Sequence, residues 1–236
     1  MDTILITGAN RGVGLALATK FLEEGWHVLA TAREPEHATE LAALGRAEGS
    51  RLDILPLDVT APESVERLPA RVAACSERLD VLVNNAGVFP EEGRERFEQY
   101  RPEWFEQALS VNVVGTVRVT QALLPTLRKG RRPRIVMMSS GAATITTKED
   151  NTKLAYAVSK AGLNMLARGL AADLREEGIT VTPVSPGWVK TEMGGENAKL
   201  EPAESAAGLF GTITGLKPED AGVFLGPDGR RDTYKW

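Results

Sequence analysis

One cysteine, Cys75, stands in 236 residues. An internal disulfide is therefore excluded, and a chain of this length has no need of one, which fits a reducing compartment. Histidine is nearly as scarce. His27 and His37, with that lone thiol, fall short of the ligand sets of the usual zinc sites, so no metal is expected. Nowhere do 18 apolar residues run together, so no membrane-spanning helix is expected. The opening Met1-Asp2-Thr3-Ile4-Leu5-Ile6-Thr7 is acidic, with an apolar stretch too short for a secretory leader. A cationic excess is missing too: 28 Lys+Arg stand against 32 Asp+Glu, a net charge of −4. Nucleic acid is thus not expected as a partner, because neutralising phosphates needs clustered Lys and Arg. The one basic cluster, Arg128-Lys129-Gly130-Arg131-Arg132, reads as a solvated helix end. Together these absences predict a cytoplasmic, soluble protein with neither nucleic acid nor membrane as partner.

What is present is ordinary for a globular chain, 42% hydrophobic and 25% charged. Length alone allows one or two domains. Short runs rich in Val, Ile and Leu recur at Ile4–Thr7, His27–Ala32, Ile54–Leu57, Val81–Asn84, Ile135–Ser139, Ile179–Val184 and Val223–Leu225. Near-continuous apolar strands of this kind suit a parallel sheet covered on both faces. Helical stretches lie between them: Val13–Glu24, Glu36–Leu44, Glu63–Ala74, Glu103–Leu127, Leu154–Glu176 and Ala203–Thr214. Gly25 and Gly178 follow two of these as stop signals, and Pro62 and Pro202 sit where first turns begin. The alternation predicts an α/β fold, a doubly wound parallel sheet of about seven strands with helices on both faces. No linker, repeat or low-complexity tract interrupts it, so residues 1–236 read as a single domain.

After the first strand comes Thr7-Gly8-Ala9-Asn10-Arg11-Gly12-Val13-Gly14. Glycines there permit a tight turn and let backbone N–H groups reach a pyrophosphate at a helix N-terminus, where the dipole favours anions. The Gly-x-x-x-Gly-x-Gly spacing matches neither Gly-x-Gly-x-x-Gly nor a Walker A loop, so position carries the reading: this is the carboxyl edge where open α/β sheets bind ligands. A free ribose on a dinucleotide commonly meets an acid about 20 residues on. Here the second strand ends Thr31-Ala32-Arg33-Glu34. Arg33 can pair with a 2′-phosphate, and Arg11 can supply a second charge, which favours NADP(H). Glu34 keeps NAD(H) open, since a carboxylate accepts from a ribose hydroxyl.

Tyr156 and Lys160 stand four apart and share a face if their segment is helical. A phenol with a pKa near 10 is a poor acid–base group at neutral pH until a neighbouring ammonium stabilises its anion. With the neighbouring motifs, this pair resembles the short-chain dehydrogenase/reductase family over essentially the whole chain. The glycine loop, Leu57-Asp58-Val59, Asn84-Asn85-Ala86-Gly87, Asn112, Ser140, Tyr156 with Lys160, and Pro186-Gly187-Trp188-Val189-Lys190-Thr191 occur in the family's order. Ser159–Leu166, Pro186–Gly195 and the terminal Lys235-Trp236 further resemble its C-factor-like branch, which includes sniffer-type carbonyl reductases.

The resemblance implies a Rossmann-type domain that reduces a ketone or aldehyde with NADPH, reversibly, to an alcohol. It implies Tyr156 as proton donor, Ser140 (with Ser139 competing) as donor to the carbonyl oxygen, and Lys160 as the charge that lowers the tyrosine pKa and holds the nicotinamide ribose. Asn112 is implied as holder of a water linking Lys160 to solvent. Cofactor contacts are implied at Gly8, Asn10, Arg11, Gly12, Val13, Gly14, Arg33, Asp58, Val59, Asn85, Ala86, Gly87, Tyr156, Lys160, Pro186, Gly187, Val189 and Thr191, with Asp58 at the adenine amino group. Ser140 and Tyr156 lie 16 positions apart, a few more than in many members, and Thr146–Asn151 between them reads as a solvated loop tip. A short lid between Pro186 and Pro202, with Trp188, Met193 and Phe89 as candidate apolar walls, points to a small or medium carbonyl compound. Family members form dimers or tetramers through the helices at Glu103–Leu127 and Leu154–Glu176, so a homodimer or homotetramer is expected. The rival expectation is an NADP(H)-binding signalling or regulatory protein with little turnover.

Overall fold

The computed structural model describes residues 1–91, 96–231, 233, 234 and 236, so Lys235 of the branch motif lies outside the described residues. Six parallel strands form one sheet in the order β3-β2-β1-β4-β5-β6. They are β1 (Thr3–Ile6), β2 (His27–Ala32), β3 (Leu52–Pro56), β4 (Val81–Asn84), β5 (Arg134–Met138) and β6 (Thr180–Val184). Strand order reverses between β1 and β4, which opens a crevice at their carboxyl ends.

Among the described residues eight α-helices flank the sheet: α1 (Gly12–Glu23), α2 (Thr39–Glu48), α3 (Pro62–Glu66), α4 (Leu68–Cys75), α5 (Pro102–Leu109), α6 (Thr116–Leu127), α7 (Leu154–Asp173) and α8 (Pro202–Gly215). Side-chain alternation along β1 divides the core. Ile4 and Ile6 join Leu17 and Phe21 of α1, Leu41 of α2, and Leu209 and Ile213 of α8. Leu5 faces the other way, with Val72 of α4, Val119 and Leu123 of α6 and Leu163 of α7. The first layer is tied by the Phe21 and Phe210 rings, 5.0 Å apart. The expected doubly wound α/β architecture is thus present.

The expected seventh strand shrinks to one parallel bridge, Val184 to Leu225. Its pairing is limited to Leu225 N–H donating to Pro183 O and Ser185 N–H donating to Leu225 O, between Gly222 in the left-handed region and the turn at Gly226. The helix expected over Glu63–Ala74 breaks at Arg67, because Pro69 opens a new first turn. That over Glu103–Leu127 is interrupted by a π-helical turn, Ser110–Gly115. The π turn holds Asn112 inward and seats Gly115 so close to Val59 that a Cβ would lie 2.7 Å from Val59 Cγ2. Among the described residues no helix is long and apolar enough to cross a membrane. In the basic cluster, Arg128 makes a two-pronged ion pair with Glu177 at 2.7 and 2.8 Å.

Candidate active site

All the residues singled out in the glycine loop and around Tyr156 collect at the carboxyl edge of the sheet. Thr7 follows β1, and its Oγ1 accepts from the N–H groups of Asn85 and Ala86, both at 2.9 Å. Asn85 Nδ2 donates back to Thr7 O at 2.8 Å and Gly8 O at 3.0 Å. The post-β1 and post-β4 segments are thereby sewn into one floor. Gly8 (φ 64°) and Gly12 (φ 56°) turn through the left-handed region, and a Cβ on Gly14 would collide with Gly8 O and Asn85 Nδ2. The first turn of α1 carries Gly12, Val13 and Gly14, has no side-chain cap and contains no acid. Its open amides and positive end fit an anion such as a pyrophosphate, with half-buried Asn10 and exposed Arg11 alongside. Gly12 meets Thr191 across the loop, 3.3 Å from a built Cβ to Thr191 Cγ2, so the Pro186–Thr191 segment borders the same cradle. Within that segment Gly187 turns at φ 82°, and buried Val189 bridges to Leu200.

The next strand ends carry charge. Arg33 is exposed just past β2. Asp58, past β3, has its carboxyl pushed up by burial, but the hydroxyl and amide of Thr60 at 2.7 and 2.8 Å and the Arg33 charge bring it below its ordinary value. Glu34 Oε2 lies 2.9 Å from His37 Nδ1 and raises the imidazole pKa. Arg11 makes an ion pair with Glu192, joining the glycine loop to the segment after Thr191. Buried Val59 stands behind Asp58 against Gly115.

At the post-β5 edge the two serines part company. Ser139 is buried and donates to Asn164 Oδ1 at 2.6 Å. Ser140 is the one whose side chain acts on the Tyr156 phenol, and its Oγ accepts from Ala142 N at 3.2 Å. Burial pushes the Tyr156 phenol above 10; the Ser140 side chain draws it down and the Glu91 charge raises it again. Lys160 Nζ lies 5.6 Å from the Tyr156 ring centroid and donates to Met138 O at 2.7 Å. Burial lowers its ammonium pKa from 10.5 to about 8. Asn112 donates to Ser159 Oγ at 2.8 Å and to Val88 O at 3.0 Å, while its Oδ1 accepts from Val88 N at 2.8 Å. Gly87 separates it from the lysine: a Cβ there would lie 3.2 Å from Asn112 Oδ1 and 3.4 Å from Lys160 Nζ.

The family model described as short chain dehydrogenase matches residues 2–201. The chain belongs to the short chain dehydrogenase family, and it is an oxidoreductase. Among curated proteins, C-signal of Myxococcus xanthus is 37% identical over 155 residues, which cover 66% of this chain and 92% of C-signal. Among solved structures, carbonyl reductase Sniffer of D. melanogaster superposes with a TM-score of 0.92 at 33% identity over 98% of both chains. The NADPH-bound carbonyl reductase from chicken fatty liver gives 0.90 at 31% identity over 99% of both.

In this short chain dehydrogenase, residues outside the motifs also meet the site. Glu91 Oε1 accepts from Tyr156 N at 2.9 Å, and the Tyr100 hydroxyl accepts from Leu154 N at 3.1 Å. Phe89, expected as a substrate wall, stands edge-on to the Tyr156 ring with centroids 5.4 Å apart. Tyr234, stacked on Phe224 at 5.0 Å, presses on the serine turn so closely that a Cβ on Gly141 would lie 2.6 Å from its Cε1. Trp188 and Met193 are each close to half exposed; the Trp188 indole N–H donates to Gly194 O at 2.7 Å. None of these pairs is near in sequence except the last. Only the aromatic character of positions 89, 100 and 234 offered a signal.

Proposed function

We propose that this short chain dehydrogenase is an NADPH-dependent carbonyl reductase of the cytoplasm, one catalytic domain over residues 1–236, that turns a ketone or aldehyde into an alcohol. The observation that carries the reading is the buried Lys160 ammonium 5.6 Å from the Tyr156 ring, with Ser140 on the phenol's side at the post-β5 turn. NADPH, when bound, supplies the hydride for the carbonyl carbon. Tyr156 gives its proton to the carbonyl oxygen, and Ser140 donates a hydrogen bond that orients that oxygen. The Lys160 ammonium favours the phenolate left behind and reaches a ribose hydroxyl. Asn112, across Gly87 from Lys160, holds the water through which the proton returns.

Residues Gly8, Asn10, Arg11, Gly12, Val13 and Gly14 would hold the pyrophosphate on the open α1 amides, with Asp58 and Val59 at the adenine. Asn85, Ala86, Gly87, Pro186, Gly187, Val189 and Thr191 would border the nicotinamide half. Arg33 would take the 2′-phosphate. The engagement of Glu34 with His37 supports NADP(H) over NAD(H), as does NADPH in the chicken fatty liver reductase. Turnover of NADPH against a panel of ketones and aldehydes, beside Tyr156→Phe, tests the reading. Absence of turnover with every substrate, or undiminished turnover in the variant, would refute it.

The likeness to C-signal favours a second reading, a signalling or regulatory protein with little turnover. It predicts tight NADPH binding without oxidation and a cellular effect that survives Tyr156→Phe.

Self-association through α5–α7 belongs to the proposal. Val114, Val158 and Met165 are exposed on this face, beside an apolar groove lined by Phe97, Tyr100, Phe105 and Leu154. Light scattering should give two or four times 25.4 kDa, and Val158→Glu should lower it. A monomer would remove this part.

A further inference from the structure

We infer that Glu91 is a positioning residue for Tyr156, its buried carboxylate both fastening the first turn of α7 and holding a fixed negative charge beside the phenol. The inference rests on reading Tyr156 as the proton donor. Glu91 is only 5% exposed. One carboxylate oxygen accepts from Tyr156 N at 2.9 Å, and the other has no hydrogen-bond partner among the described residues.

The start of α7 explains why such a residue is needed. Lys153, the residue before the helix, sits at φ 55° and offers no side-chain cap, and the first turn contains no acid. A helix of 20 residues therefore begins with open amides and an uncompensated positive end. Both deficits are met from a distance: Glu91 comes from 65 positions upstream, and Tyr100 takes the Leu154 amide. The same upstream segment grips the tyrosine twice, since Phe89 abuts its ring and Lys153 Nζ lies 5.4 Å above Phe89.

Capping alone does not call for a carboxylate. A neutral Ser or Asn would satisfy one amide without leaving a buried oxygen unpaired, which is costly. The charges around the phenol show what the carboxylate adds. On α7 the facing cation is Lys160; before it, Lys153 is drawn to Phe89; in the 144–153 loop Lys148 is paired with Asp150. The post-β5 turn presents the neutral Ser140 and the π turn the neutral Asn112. Among the described residues around the tyrosine, Glu91 is thus the carboxylate fastened to the Tyr156 backbone. A negative charge there disfavours phenolate and keeps the donor protonated, in line with the upward influence of Glu91 on the phenol pKa.

Glu91→Gln keeps an acceptor for the Tyr156 amide and removes the charge. Titrating tyrosinate absorbance in the wild type and in Glu91→Gln, each against its Tyr156→Phe counterpart, isolates Tyr156 from Tyr100 and Tyr234. The Tyr156 midpoint should move to lower pH in Glu91→Gln, and the alkaline limb of kcat/KM should move with it. Coincident midpoints would overturn the charge role. Glu91→Ala also removes the anchor, and kcat should fall roughly tenfold to a hundredfold with a smaller change in KM. Wild-type kcat in that variant would overturn the anchoring role. If Glu91→Ala does not fold, the Gln variant still decides. The absorbance readout needs no turnover, so failure of the carbonyl-reductase reading would show separately, as unreduced activity in Tyr156→Phe.

Discussion

The two ends of the carboxyl-edge crevice are built from opposite materials. At the glycine loop, Arg11, Arg33, Glu34 and Glu192 all lie exposed, and the fixed structure is almost entirely backbone. At the post-β5 wall, Lys160 is 4% exposed and Glu91 5%, and side chains hold one another. The contrast tracks the chemistry each end would perform. A cradle for phosphates works by presenting amides and mobile surface charge to a ligand that brings its own anion. A proton-transfer group must instead have its pKa set by its surroundings, and burial is what gives neighbouring charges their leverage.

The sharpest way to break this comparison is to remove the phenol. Tyr156→Phe should lower kcat roughly a hundredfold to ten-thousandfold while NADPH binding, monitored by fluorescence titration, stays close to wild type. A parallel loss of binding would mean that the two ends do not work separately. At the cradle, Arg33→Ala should weaken NADPH by about tenfold and leave NADH nearly unchanged. Equal loss for both cofactors would assign the preference to Arg11 or Glu34 instead. The smallest effect concerns stability. Lys160 titrates near 8 in the folded protein against an ordinary 10.5, so the unfolded chain binds more protons across that interval. Stability should therefore rise with pH, by about 1 kcal/mol between pH 8 and 9. Above 9 the half-buried Cys75 thiol, held above its ordinary value, opposes the rise, and Tyr156 does so above 10. Urea midpoints should show the rise in the wild type and lose it in Lys160→Met.

How much of this was legible in the sequence divides along the same line. The strand ends and the glycine loop could be read because apolar runs and Gly spacing are local, and each positions the few residues directly after it. Tyr156 and Lys160 were legible because one helical turn brings them together. The family pattern favoured Ser140 over Ser139, but nothing local showed that Asn164 lies opposite Ser139. Glu91, Tyr100 and Tyr234 escaped for the same reason: their contacts to Tyr156, Leu154 and Gly141 span 65, 54 and over ninety positions, and nothing in the local pattern marks them. The seventh strand failed differently. Val223–Leu225 has strand composition, but only two backbone hydrogen bonds to the sheet edge are formed there.

The way α7 begins has a consequence for the order in which the protein comes together. Because Glu91 and Tyr100 take the amides of Tyr156 and Leu154, the first turn of that helix is a product of tertiary assembly rather than of its own propensity. In a nascent or partly unfolded chain that turn frays even where the middle of α7 is wound. Tyr156 therefore reaches its working geometry only after the post-β4 segment has docked. A chain that has collapsed but not yet closed this junction would hold a complete sheet with Tyr156 unplaced, which makes the junction the last piece of the site to be fixed.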